Sequence, residues 1–224
     1  MAVISVVSSK GGVGKTTSTV VIATTLAEAG AKVGIVDADP NQPIPRWAAK
    51  DNFPENITVY PDGNQSNILD KIAQAASENQ FVLVDPEGTA SLTVAYAVGV
   101  SDLVIIPCQA SSLDSDQAVK ALKVIEDNKK FTGKTVNHKI LLTRTPAAIR
   151  SLNLKQLQQD LEDNNIPSFE VQLVEREAFK AIFTLGGSLL RLPERSVSGV
   201  ERAIENAEAL TNELLATLKE GASQ

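Results

Sequence analysis

Short apolar runs rich in β-branched residues alternate along the chain with segments of helical period. The runs are Val3–Val7, Val33–Val36, Ile57–Tyr60, Phe81–Val84, Leu103–Ile106 and Ile140–Leu142. Several are apolar at every position, the pattern of strands covered on both faces of a parallel sheet. Between them the spacing predicts helices over 15–29, 66–78, 90–100, 114–129 and 151–163, with two more over 175–185 and 197–219. The last carries Val200, Ala203, Ile204, Ala207, Leu210, Leu214 and Leu218 on one face, a stripe that packing against the sheet would bury. Strand–helix alternation calls for right-handed crossovers, so the expected fold is α/β: a doubly wound, mostly parallel sheet flanked by helices. The Pro-rich stretch Asp39–Pro54 reads as the longest irregular segment, and it follows a strand, where active-site loops of such folds sit. No repeat, low-complexity tract or linker divides residues 1–224, so one domain is expected.

The first strand runs into Ser9-Lys10-Gly11-Gly12-Val13-Gly14-Lys15-Thr16-Thr17 and then a helix. Strand, glycine-rich turn and helix start form the context of a phosphate-binding loop. Glycines let backbone N–H groups turn inward toward phosphate oxygens, and the helix adds its positive N-terminal end. In that frame Lys15 reaches β- and γ-phosphates, the Thr16 hydroxyl ligates Mg2+, and Thr17 bonds an α-phosphate. The strict G-x-x-x-x-G-K-[ST] pattern fails, because its first glycine position holds Ser9. What replaces it is a second lysine, Lys10, immediately ahead of two glycines.

Composition narrows the field. One cysteine and one histidine, Cys108 and His138, exclude a disulfide framework, a Cys-rich zinc site and a multi-histidine metal centre. A cluster-bearing electron carrier needs four thiolates, and two chains together would supply two. No apolar run reaches the ~18 residues of a membrane span, and the first residues lack a basic start, so a cytoplasmic protein is expected. The 21 Lys/Arg and 27 Asp/Glu are unevenly spread. Residues 120–155 hold nine basic side chains against Glu126 and Asp127 alone. Such a block is either a solvated helix face or a local anion-binding surface on an acidic chain.

KGGVGKTT at 10–17 resembles the deviant Walker A motif of the ParA/MinD family of P-loop ATPases. The resemblance continues through Val36-Asp37-Ala38-Asp39-Pro40, VLVDPEG at 82–88, SDLVIIP at 101–107, Ser112-Leu113-Asp114 and the run Arg176–Phe179. The chain is most similar to the short plasmid-partition ParA subgroup (ParF-like, VirC1-like), since a loop starting at Ser9 leaves no room for an N-terminal helix-turn-helix domain. The resemblance implies that ATP and Mg2+ are the cofactors and that Gly11, Gly12, Val13, Gly14, Lys15, Thr16 and Thr17 hold the nucleotide. It implies that Lys10 crosses a dimer interface to the partner's nucleotide. A cation supplied from a second chain would offset the charge that phosphoryl transfer concentrates, making hydrolysis depend on pairing. Asp39 matches the residue that positions the attacking water, and with Thr16, Asp37 and Asp85 it is a candidate for the Mg2+ site. Asp85 matches Walker B and would hold Mg2+ through a water. Asp37 supports the Mg2+ shell or the loop, and Glu87 is a switch residue or a turn acid. Arg144 falls where the family packs side chains around the adenine, with a surface ion pair as its alternative, and residues 172–177 complete the base pocket.

At the level of function the resemblance implies a partition ATPase. It would form a homodimer when ATP-bound, bind non-specific DNA on the nucleoid, and answer to a small centromere-binding adaptor protein. DNA-contact candidates are Arg150, Lys180, Arg191, Arg195 and Arg202, ahead of Lys129, Lys130, Lys134 and Lys155 in the basic block. The alternative keeps the ATPase and changes the cargo to a protein cluster, a DNA-transfer complex or division machinery. Stable membrane association is not expected, because the final helix carries Lys219 between Glu213 and Glu220.

Overall fold

The computed structural model describes residues 1–8, 10–87, 91–109, 112–146, 152–193 and 197–221, with backbone only at 112–118 and 152–153. Its elements are β1 (Ala2–Val6), α1 (Lys15–Glu28), β2 (Val33–Ala38), α2 (Pro43–Ala48), β3 (Ile57–Tyr60), α3 (Ile68–Glu78), β4 (Phe81–Pro86) and α4 (Leu92–Val100). β5 (Leu103–Cys108), α5 (Ser112–Thr132), β6 (His138–Thr145), α6 (Leu152–Asp163), β7 (Leu173–Val174), α7 (Glu177–Leu185), a 3-10 turn (Leu189–Arg191) and α8 (Val200–Gly221) follow. The seven strands are parallel in the order β3-β2-β4-β1-β5-β6-β7, the doubly wound sheet that the alternation predicts.

Successive strand residues point to opposite faces, and each face is buried under its own helices. Ile4, Val6, Ile35, Leu83, Ile105 and Leu141 share one core with α1, α7 and α8. Val3, Val36, Val82 and Val84 pack with α3, while Val104, Ile106, Ile140, Leu142 and Cys108 pack with α5 and α6. The α8 stripe lies on α1, with Val200, Ala203, Ala207, Leu210 and Leu214 buried and Ile204 and Leu218 partly covered.

Two features depart from the sequence expectation. The stretch Asp39–Pro54 is not irregular throughout, because it contains α2. Pro43 sits at the start of that helix, where a missing N–H costs nothing, and the Asp37 carboxylate accepts the Ile44 N–H at 3.2 Å. β7 adds a seventh strand of two residues, too short to leave a periodic signal.

The α2 loop is fastened to the turn after α7. Trp47 is 1% exposed, donates its indole N–H to the Gly187 carbonyl at 3.0 Å, and meets Phe53 edge-on at 5.1 Å. These contacts give Trp47 a packing role. This contact requires glycine opposite. At Gly186, φ is +85° and a Cβ would come within 2.5 Å of the Asp51 carbonyl. Gly186→Ala is therefore expected to cost about 2–4 kcal/mol in urea unfolding. Gly30→Ala, at φ +90° with open space around it, is expected to cost about 1 kcal/mol of backbone strain alone. Equal losses for the two variants would remove the steric account.

Candidate nucleotide-binding site

Strand order brings the chemistry together. β1 sits centrally with β4 on one side and β5 on the other, so the β1–α1 loop opens at the carboxyl edge where the winding reverses. Register does the rest: Asp37 of β2 pairs with Asp85 of β4, which places the two strand-end acids side by side.

The loop adopts the glycine-dependent path its sequence predicts. Gly12 has φ +79° and Gly14 φ +99°, and Gly14 forms the left-handed cap from which α1 starts. Two side chains pin it from neighbouring strands. Thr143 Oγ1 donates to the Val13 carbonyl at 2.7 Å, and Gln109 Nε2 donates to the Gly12 carbonyl at 3.0 Å. A Cβ on Gly14 would already touch Thr143 at 3.5 Å. Sequence reasoning assigned neither pin a role. The one available signal was a threonine at the end of the apolar run Ile140–Leu142, which emerges 1% exposed. Ser9 lies outside the described residues. Lys10 is half-buried, and its N–H donates to Ser8 Oγ at 3.2 Å.

Beneath the loop, Lys15 is 8% exposed at the first position of α1. Thr16 Oγ1 donates to Asp85 Oδ2 at 2.7 Å. Asp85 is fully buried, and its other oxygen, Oδ1, is left without a hydrogen-bond partner. Burial pushes its carboxyl up to about 7, against the pull of the Thr16 bond and the Lys15 charge, while Asp37 and Asp39 raise it further. An orphaned buried carboxylate oxygen next to a threonine hydroxyl fits a Mg2+ shell reached through water. Among the described residues no cluster of three or more His, Cys, Asp or Glu side chains stands ready to hold a metal alone. Phosphate oxygens would have to complete the shell, as a nucleotide-borne Mg2+ provides.

Asp37 is differently occupied. Its Oδ1 accepts the Asp39 N–H at 2.9 Å and its Oδ2 accepts the Ile44 N–H, so both oxygens hold the α2 loop. Burial raises its carboxyl above the ordinary range, and the two backbone bonds oppose that rise. Of the two roles expected for Asp37, loop support is the one this geometry favours over direct metal ligation. Asp39, half-buried at the strand tip, accepts the Asn41 N–H at 2.8 Å and the Asn41 Nδ2 at 3.0 Å through Oδ1. Asp37 thus places Asp39, and Asn41 orients its carboxylate. Glu87 is exposed just beyond β4.

A pocket of about 210 Å3 opens beside Gly14 and Thr17. Leu173, Val174, Phe179 and Phe183 provide apolar walls, with Thr143, Arg144 and Arg176 among its polar lining. Arg144 takes the left-handed conformation at φ +50° with its side chain exposed, and Arg176 Nε is buried without a partner. An apolar slot with a few polar groups, abutting a phosphate loop, suits a heteroaromatic base. A larger groove of about 290 Å3 between the end of α1, the 3-10 turn and α8 contains no phosphate-loop residue.

Among the described residues, the DNA-contact candidates are not gathered into one free surface. Arg150 and Arg195 lie outside the described residues. Lys180 sits 3.3 Å from Glu175 and 3.7 Å from Glu177 at the rim of the pocket beside Gly14. Arg191 pairs with Glu28 at 2.8 Å and donates to the carbonyls of Asn52 and Phe53, a brace between α1 and the α2 loop. Arg202 is exposed on the first turn of α8 and makes no ion pair among the described residues.

Comparison with known proteins agrees with this geometry. The family model of the VirC1 protein matches residues 1–220. A protein named ParA from Rhizobium radiobacter is 36% identical over 220 residues, covering 98% of this chain and 99% of its own. The maintenance of carboxysome distribution protein A of Gloeobacter kilaueensis is 27% identical over 190 residues, 84% of each chain. Among solved structures, an ATP complex of an aspartate-to-alanine variant of Cyanothece McdA superposes with a TM-score of 0.77 at 16% identity, covering 96% of both chains. Loop, strand-end acids, base pocket and whole-length similarity converge: the chain belongs to the VirC1 family of ParA/MinD-type P-loop ATPases.

Proposed function

We propose that this protein is a partition ATPase whose ATP-bound homodimer holds non-specific DNA and whose hydrolysis, stimulated by a small centromere-binding adaptor, releases it. The observation that carries the ATPase chemistry is the Thr16–Asp85 pair with its orphaned Oδ1 beneath the glycine loop. Mg2+ bound there would offset charge on the β- and γ-phosphates. The protein's own groups do the remaining work. Lys15 and the loop N–H groups orient the phosphates, Asp39 accepts a hydrogen bond from the attacking water, and Lys10 of the facing subunit offsets charge on the bridging oxygen.

The whole-length likeness to a ParA protein supports DNA as the cargo track. Arg202 is the described candidate best placed for phosphate contact, and pairing two subunits doubles any such face. ATP-loaded protein is expected to be retained on random-sequence duplex DNA and ADP-loaded protein to be released. Its affinity should fall with salt at a log–log slope of about 0.9 per phosphate neutralised. Equal retention with both nucleotides defeats the switch. The likeness to a carboxysome-distribution protein favours one alternative, the same ATPase positioning a protein cluster. Among the described residues no helix is long and apolar enough to cross a membrane.

A further inference from the structure

The layer that carries α4 and α5 has an unusual outer surface. α4 has no charged residue between Leu92 and Val100. Leu92, Tyr96 and Val100 recur every four residues, so they form one row along that helix, and they are 52%, 38% and 39% exposed. Val94, Ala97 and Val98 turn the opposite way and are buried. α5 lies alongside: Asn128 Nδ2 donates to the Ala95 carbonyl at 2.9 Å, and a Cβ on Gly99 would meet that amide at 3.2 Å.

Asn128 therefore marks the side of α5 that faces α4. Phe131 lies three residues on, about 60° round the helix on the outward side, and is 93% exposed. Lys120 lies eight residues back, about 80° round in the same direction, and Lys123 stands further out. Both lysines are exposed, and neither makes an ion pair among the described residues. Asp127 in the same sector already faces Lys130 at 3.8 Å. The result is an apolar strip about two helical turns long whose α5 edge carries Lys120 and Lys123, the latter close enough to Glu126 to help lower its carboxyl, on a chain of net charge −6.

We propose that the α4–α5 face docks an acidic amphipathic helix of a partner protein. The partner's apolar stripe would lie on Leu92, Tyr96, Val100 and Phe131, with its carboxylates toward Lys120 and Lys123. Helix-in-groove recognition needs apolar anchors at this spacing, and the charged rim sets the sign of the visitor. A lipid surface fits less well. The α4 row runs along a helix flank rather than crowning a tip. Ser91 caps α4 six residues after Asp85, so an occupant there bears on the segment leading from the metal-side carboxylate. That regulatory consequence rests on the proposed function; the docking itself does not.

The test is selection from a displayed library of helical peptides, with every surface position randomised, against the full-length chain. Enriched peptides should carry Asp and Glu around an apolar i, i+4 stripe. Their affinity should drop at least ~10-fold on Tyr96→Glu and several-fold on Lys120→Glu with Lys123→Glu. Unchanged basal ATP hydrolysis certifies the fold, and the double lysine variant keeps the test alive should Tyr96→Glu unfold. Neutral or basic winners, or winners that bind both variants like wild type, overturn the proposal. So does a Tyr96→Glu effect confined to phosphatidylglycerol vesicle binding or to self-association in light scattering, which would assign the face to lipid or to a second copy. Peptide binding needs no turnover, so it stands or falls apart from the ATPase reading.

Discussion

Lys10→Ala is expected to bind ATP almost as wild type does and to hydrolyse it roughly 10²–10³-fold more slowly, the usual loss when one charge-stabilising donor leaves a phosphoryl or acyl transition state. The reasoning starts from the loop. Lys15, buried under it, is positioned for a nucleotide bound to its own chain, whereas Lys10 precedes the glycines. A lysine there offsets charge most effectively from across an interface. Mixing Lys10→Ala with Asp39→Ala distinguishes this from a role within one chain. Each variant is crippled alone, but a mixed dimer has one site with Asp39 from one subunit and Lys10 from the other. With equal amounts and free exchange, about a quarter of wild-type turnover should return, since half the dimers are mixed and one site in two is whole. No recovery, or wild-type turnover that stays constant per molecule on dilution to monomer, rules out catalysis across the interface.

Most of the sheet was legible because its strands are buried on both faces and so spell apolar runs. All six predicted runs became strands, and the acids ending two of them, Asp37 and Asp85, proved register partners. Local chemistry also read well: Gly12 and Gly14 occupy the positive-φ positions a phosphate loop requires. What escaped was whatever depends on contacts distant in the chain. Thr143 reaches Val13 across 130 positions and Gln109 reaches Gly12 across 97, and no spacing rule links such pairs. Arg191 stands among the DNA-contact candidates because its ion-pair partner, Glu28, lies 163 positions away. α2 was hidden for a different reason. Pro43 and Pro45 look like breakers, yet both fall in the first turn, where proline is tolerated, and the stabilising cap comes from Asp37 on the preceding strand.

Asp85→Asn should stabilise the nucleotide-free protein while suppressing Mg2+-dependent turnover by ~10²-fold or more. An ordinary aspartate loses its proton near 3.8, but burial holds the folded Asp85 carboxyl up to about 7. Between those values the unfolded chain ionises and the folded one does not. The stability of the protonated folded form is thus fully present below about pH 4 and is lost progressively as pH rises to 7, with no further loss above. Asparagine keeps an oxygen for the Thr16 hydroxyl and carries no charge to desolvate. Its advantage should be near zero at pH 4 and reach about 2–4 kcal/mol at pH 8, a rise in Tm of about 5–10 °C. A melting curve that gains equally at both pH values would show that the benefit is packing and not the removal of a buried charge. Adding ATP with Mg2+ should reverse the order. Ligand binding to the folded state then stabilises wild type, where the orphaned Oδ1 gains its cation, and helps the variant far less. A carboxylate held where stability alone would choose an amide is the arrangement expected if neutralising that charge is what Mg2+ contributes when ATP arrives.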